Sequence, residues 1–200
     1  LPDSRGLLLL IEERGRLTLK ILNIKSGQIK TLVKEGYNSA VTLAPDGRSC
    51  AFLQSRTTSP DELFVYSFTD NKIRQITDFN SPLRSQIEMN DVEDFEFKSS
   101  DGAMVHGFLI TPPFFDAREK YPAVFLVHGG PQSAWEDNWH YRWNPQLWSA
   151  QGYVIIMINP RGSIGYGQKV TDAISLDWGG QVFDDLVVGQ KYIVDHFKFI

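Results

Sequence analysis

The stretch Ala123-Val124-Phe125-Leu126-Val127-His128-Gly129-Gly130-Pro131 decides the fold. Its five apolar residues have the length of a strand buried on both faces, and the change to His-Gly-Gly-Pro marks the strand's carboxyl end. Beyond it, Asn144 reads as an N-cap, Pro145 as the first helical position, Leu147, Trp148 and Ala150 as helix interior, and Gly152 as the residue just past the end. Residues 153–158 form a second apolar run of strand length. Strand, helix, strand predicts a right-handed parallel βαβ unit. Residues 181–196 predict a further helix through Val182, Phe183, Leu186, Val187 and Ile193, with Asp184 and Asp185 near its start, where the macrodipole favours acids. Upstream, residues 94–98 and 105–110 flank Ser99-Ser100-Asp101-Gly102 and predict an antiparallel hairpin, stopped by Pro112-Pro113.

Residues 1 to about 80 follow a different plan, because they repeat. Leu1-Pro2-Asp3-Ser4-Arg5-Gly6 resembles Ala44-Pro45-Asp46-Gly47-Arg48 at a spacing of 43 residues. Ile21-Leu22-Asn23-Ile24 with Ser26-Gly27 matches Val65-Tyr66-Ser67-Phe68 with Asp70-Asn71 at a spacing of 44. A period of about 40 to 45 residues made of short strands and turns is the pattern of propeller blades; the alternative is a meander of two hairpins in a sandwich. Two copies cannot close a ring, so further blades are expected before Leu1. The fold expectation is therefore α/β: about two blades ending a β-propeller in residues 1–85, then antiparallel strands leading into a wound parallel sheet in residues 86–200, with the irregular stretch 82–90 as linker.

Composition narrows the function classes. Of 200 residues, 42% are apolar and 22% charged, which is ordinary for a globular chain and excludes disorder. With 20 basic and 24 acidic residues the net charge of −4 offers no footprint for nucleic acid, and no run reaches the roughly 18 apolar residues of a spanning helix, so neither nucleic acid nor membrane is expected as a partner. A single cysteine, Cys50, and the absence of His-Glu-x-x-His give no metal site, and no cofactor is expected. Leu1 in place of an initiator methionine and the apolar Phe197-Lys198-Phe199-Ile200 read as cuts through a longer protein.

Chemistry is expected at the carboxyl ends of the two apolar strands, the edge where open α/β sheets place their sites. In His128-Gly129-Gly130-Pro131 the glycines let backbone approach a ligand and aim N–H groups at it, which suits an oxyanion hole; a tight turn without catalytic duty is the alternative. His128 suits a loop-fixing role as well as a base. In Asn159-Pro160-Arg161-Gly162-Ser163-Ile164-Gly165-Tyr166-Gly167, Arg161 stands where a Gly-x-Ser-x-Gly elbow needs glycine, so Ser163 is a poor nucleophile. Val170 stands where a dinucleotide fingerprint needs its third glycine. Arg161 can bind a substrate carboxylate or carbonyl, or form an ion pair beneath the site. The aromatic residues Trp135, Trp139, Tyr141, Trp143 and Trp148 can line a pocket or fill core and interdomain space.

Taken in order, His128-Gly129-Gly130-Pro131-Gln132, Trp135, Trp139, Tyr141-Arg142-Trp143-Asn144, Asn159-Pro160-Arg161-Gly162-Ser163, Gly165-Tyr166-Gly167-Gln168 and Asp177-Trp178-Gly179-Gly180 with Asp184-Asp185-Leu186 resemble the prolyl oligopeptidase family, in its dipeptidyl-peptidase V and acylaminoacyl-peptidase branch. The resemblance implies that residues 86–200 are the N-terminal part of an α/β-hydrolase domain, in a serine exopeptidase that cleaves short peptides near their N-terminus through an acyl-enzyme, behind a propeller that restricts access. It implies an oxyanion donor in the His128-Gly129-Gly130 loop, foremost the Gly130 N–H, with Arg161, Tyr141 and Trp143 as substrate-pocket candidates. In the hydrolase order serine, acid, histidine, the elbow follows the helix that ends near His196, so neither His128 nor His196 serves as the triad base. All three triad members are expected beyond Ile200, and the chain alone is expected to be inactive. A binding protein without a triad and a carboxylesterase are the competing readings. The resemblance is compatible with a secreted or periplasmic setting.

Overall fold

Seven strands follow one another from Gly6 to Gln75 in the computed structural model, which describes residue 1 and residues 4–200. They are β1 (Gly6–Glu13), β2 (Arg16–Asn23), β3 (Ile29–Val33), β4 (Tyr37–Leu43), β5 (Ser49–Arg56), β6 (Ser59–Ser67) and β7 (Lys72–Gln75). β5, β6 and β7 each begin 43 residues after β1, β2 and β3. Pro2 and Asp3, which open the sequence repeat, lie outside the described residues. β1–β2–β3 and β4–β5–β6–β7 are antiparallel groups joined by one parallel bridge, Leu17 to Tyr37. Arg14 and Gly15, at φ 53° and 67°, turn β1 into β2, the left-handed pair that matches a hairpin's twist. Leu19, Val33, Cys50, Phe52 and Tyr66 form the core, and buried Glu62 accepts hydrogen bonds from Thr77 Oγ1 (2.5 Å), Asn80 N (3.0 Å) and Asn80 Nδ2 (2.8 Å).

This unit comprises Leu1–Ile87 and also a short distant segment, Glu136–Tyr141. Buried Asp137 explains the membership: its Oδ1 accepts hydrogen bonds from Thr57 N (3.0 Å) and Thr57 Oγ1 (3.2 Å), and its N–H donates to Gly15 O (2.8 Å).

The second unit, Glu88–Trp135 with Arg142–Ile200, is built on four strands in the order β10-β11-β9-β8. These are β8 (Glu93–Lys98), β9 (Met104–Ile110), β10 (Ala123–Leu126) and β11 (Val154–Asn159). β10 and β11 are parallel, with Ala123 opposite Val154, and the other pairs are antiparallel. One face packs Phe95, Phe97, Val105, Leu109, Ile156 and Ile158 against the helix Gln181–His196; Phe108, Ile110, Ile155 and Met157 on the other meet Trp135 and Trp148. No helix among the described residues is long and apolar enough to cross a membrane.

Three readings need correction. β11 is wholly buried, but β10, expected to be covered on both faces, is an edge of the described sheet and only partly covered, with Val127 54% exposed beyond its end. The helix after Asn144 is a single turn, Gln146–Ser149, with Pro145 rather than Asn144 as its N-cap, although the Asn144 side chain does accept from Gln146 N at 3.0 Å. Asp185, read as an acid placed for the helix dipole, is wholly buried because it serves a cation of the neighbouring loop.

Candidate functional site

Two loops leave the carboxyl ends of β10 and β11 and lie side by side, because their strands are parallel neighbours. They are tied together by Ile164 N donating to Ser133 O (3.1 Å), by Gln132 Nε2 donating to Thr171 O (3.1 Å), and by the Ser163 hydroxyl, which lies 2.6 Å from Pro160 O and 3.0 Å from His128 Nε2. Behind them, Asn159 at the end of β11 grips Trp135 twice: its Oδ1 accepts from Trp135 N (2.7 Å) and its Nδ2 donates to Trp135 O (3.0 Å). The Trp135 indole N–H donates to Leu126 O (2.9 Å). The loop carrying the two glycines is thus anchored at both ends.

Between its anchors the loop is open. Gly129 and Gly130 are exposed, and among the described residues their N–H groups have no acceptor. Gly130 has φ 135°, and a Cβ there would lie 2.7 Å from Ser133 Cβ, so only glycine fits without strain. A groove of about 270 Å³ lies beside it, lined by Val127, Gly130, Pro160, Trp178, Val182 and Leu186 among others. Burial pushes the His128 imidazole below its ordinary range, with the Gly129 carbonyl acting in the opposite direction. A largely neutral ring that bonds its own loop and Ser163 fits the loop-fixing role.

Of the two roles open to Arg161, the geometry displays the ion pair. Nε and Nη2 donate to Asp185 Oδ2 (3.0 Å) and Oδ1 (2.6 Å), Nη1 to Asp101 Oδ2 (2.5 Å), and Nη2 also reaches Ser99 Oγ (3.2 Å). Asp185 first, and Asp101 after it, hold the guanidinium above its ordinary range, against the effect of burial. Arg161 also lines the groove, with its guanidinium engaged by carboxylates beneath the loop.

The aromatic residues separate. Trp135 and Trp148 cover the sheet, Trp143 is half exposed with the Arg142 guanidinium 5.1 Å from its ring centre, and Tyr141 is 86% exposed in the first unit, edge-on to Trp139 at 6.1 Å. Trp143 is not among the residues lining the groove. His196 stacks on Tyr192 at the far end of its helix. Among the described residues no group of three or more His, Cys, Asp or Glu side chains could hold a metal ion.

Sequence reasoning passed over His106 and the partner that Tyr166 provides for it. His106 is 2% exposed, with Nδ1 2.6 Å from the Tyr166 hydroxyl and Nε2 2.8 Å from Asp94 Oδ1. The available signal was Tyr166, inside a stretch already singled out. In the first unit, Glu136 is pushed up to about 7, by burial first and by the Glu12 carboxylate second.

Comparison with known proteins follows the same lines. Residues 139–200 match the prolyl oligopeptidase family. The chain is 35% identical over 206 residues to dipeptidyl-peptidase 5 of Aspergillus fumigatus, an alignment that takes in all of this chain and 28% of that protein. Among solved structures, the acylaminoacyl peptidase of Pyrococcus horikoshii superposes with a TM-score of 0.81 at 25% identity, over 96% of this chain and 30% of that one. Dipeptidyl peptidase 4 of Porphyromonas gingivalis shares the fold with a TM-score of 0.72 at 19% identity, over 98% of this chain and 28% of that one. The chain thus spans less than a third of the length of these relatives.

Proposed function

We propose that this chain, which belongs to the prolyl oligopeptidase family, is part of a serine exopeptidase that releases dipeptides from the N-termini of short peptides through an acyl-enzyme. In this reading residues 1–85 supply about two propeller blades, in keeping with the 43-residue offset of the strand sets, and residues 86–200 open the α/β-hydrolase domain. The nucleophilic serine, acid and histidine are assigned to sequence outside these 200 residues, which leaves this chain inactive by itself.

The observation that carries the reading is the Gly129-Gly130 loop: exposed N–H groups without acceptors, at the carboxyl end of a parallel strand, on a backbone anchored through Trp135 and Ser133. Such donors bind the oxygen of a tetrahedral intermediate without having to reorganise when charge develops on it. One donor of this kind is worth about 3 to 4 kcal/mol in the transition state. The Gly130 N–H is assigned that role, with the second donor following the serine. The similarity to dipeptidyl-peptidase 5 favours a free over a blocked peptide N-terminus.

The test is fluorophosphonate labelling of the full-length protein together with paired dipeptidyl and acylaminoacyl chromogenic substrates. A labelled serine and faster turnover of the dipeptidyl substrate are expected. No label and no turnover of either substrate would reject the peptidase, and preference for the blocked substrate would reject dipeptide release.

A further inference from the structure

The relay that begins at His106 is set up by strand register. His106 on β9 stands opposite Asn159 on β11 and Glu96 on β8, so the three side chains leave one face of the sheet in a row. The Tyr166 hydroxyl bridges the first two: Asn159 Nδ2 donates to it at 2.8 Å, and it lies 2.6 Å from His106 Nδ1. His106 Nε2 lies 2.8 Å from Asp94 Oδ1, and the Phe108 ring packs edge-on against the imidazole at 4.9 Å. The charged and titratable groups facing the imidazole are thus Asp94 and Glu96 from β8 and Tyr166 from the loop after β11.

For a neutral imidazole the chemistry of the partners gives each bond its direction. A carboxylate only accepts, so Nε2 carries the hydrogen; Nδ1 of the neutral ring is then an acceptor, and Tyr166 is its donor. With its hydrogen committed, the hydroxyl oxygen receives from Asn159. That places NH2 on the Tyr166 side of the Asn159 carboxamide and leaves Oδ1 for Trp135 N. Donors therefore run one way, from Asn159 through Tyr166 and His106 to Asp94. At the Asn159 end, the relay ends on the residue that anchors the glycine loop.

We propose that His106 and Tyr166 are positioning residues for the Gly129-Gly130 donors: by giving the Asn159 carboxamide a third partner beside the Trp135 N–H and C=O they hold Trp135, five residues after Gly130, and through it the loop. The inference rests on the oxyanion reading of that loop. The Trp135 N–H and C=O select the orientation of the carboxamide; without the Tyr166 hydroxyl it loses the third bond, from Nδ2, that holds it in place over the sheet. A misplaced donor loop lowers turnover and leaves substrate binding largely alone.

The test compares the full-length protein with Tyr166→Phe, His106→Asn and His106→Gln, by amide hydrogen exchange over residues 129–135 and by kcat and KM on a dipeptidyl substrate. Tyr166→Phe keeps the ring's shape, and is expected to speed exchange in that segment and to lower kcat roughly 10- to 100-fold with KM nearly unchanged. His106→Asn retains an acceptor near the Nδ1 position whereas His106→Gln does not, so the Asn variant is expected to recover turnover relative to the Gln variant. Tyr166→Phe with unaltered exchange and kcat, or Asn and Gln variants that behave alike, would overturn the proposal. Faster exchange in Tyr166→Phe with no turnover even in the unmutated protein would support the relay and reject the peptidase reading instead.

Discussion

Arg161 and Asp185 meet fork to fork: two guanidinium nitrogens face two carboxylate oxygens at 3.0 and 2.6 Å, on an aspartate with no exposed surface. The same carboxylate accepts the Arg161 backbone N–H (2.9 Å) and the Ser99 hydroxyl (2.5 Å), so four donors converge on one side chain. The helix Gln181–His196, the loop after β11 and the end of β8 are joined at this point.

Removing one partner of such a pair strands the other's charge. Asp185→Ala is expected to destabilise the full-length protein by about 3 to 5 kcal/mol, and Arg161→Lys, which cannot reproduce the planar fork, is expected to destabilise it too. Urea unfolding followed by tryptophan fluorescence measures both. An unshifted midpoint in Asp185→Ala would show that the pair carries no net stability.

Gly189 faces the sheet where a Cβ would collide with Ile158 and Phe97. Gly189→Ala, a favourable exchange in an exposed helix, should here cost about 1 to 3 kcal/mol through overpacking. A raised melting temperature in the variant would contradict this packing.

Gly130→Ala meets a left-handed φ and the Ser133 side chain together. If the Gly130 N–H is an oxyanion donor, kcat of the full-length enzyme should fall about 100- to 1,000-fold, with KM changed far less. Undiminished turnover in a folded variant would move the donor elsewhere.

Glu136 yields a prediction about pH. Its carboxyl is raised from 4.5 to about 7 in the folded protein, so between those values the folded state holds a proton that the unfolded state has released. Its contribution is fully present below pH 4.5 and is lost as pH rises through about 7. Glu136→Gln keeps the neutral shape. The variant's melting temperature, measured relative to the unmutated protein, should therefore be higher at pH 8 than at pH 5. An equal difference at both pH values would mean that Glu136 titrates normally.

Much of the second unit was legible because its signals are local. The helix Gln181–His196 ends where the pattern of apolar residues ends, and the parallel pairing of residues 123–126 with 154–157 follows from a strand, a short helix and a strand. What could not be read depends on register or on distant partners. His106 looks like a solitary histidine in sequence, and only the pairing of β9 with β11 places it beside Asn159, 53 positions away. The ion pairs of Arg161 could not be read either, because Asp101 and Asp185 come from elements on either side of it in the chain. The aromatic residues from Trp135 to Trp148 looked like one cluster because they are close in sequence, yet the chain changes unit twice among them.

That change of unit bears on how such a chain can be inherited. Thr57 depends on a carboxylate 80 residues downstream, and the polypeptide passes between its two units after Ile87, after Trp135 and again after Tyr141. A recombination event with one breakpoint, at residue 87, would transmit all seven strands of the first unit but leave the Thr57 N–H and hydroxyl without Asp137. Swapping either unit for a homologous one takes three matched junctions, after residues 87, 135 and 141, and a substitution at Asp137 reaches a strand connection far upstream.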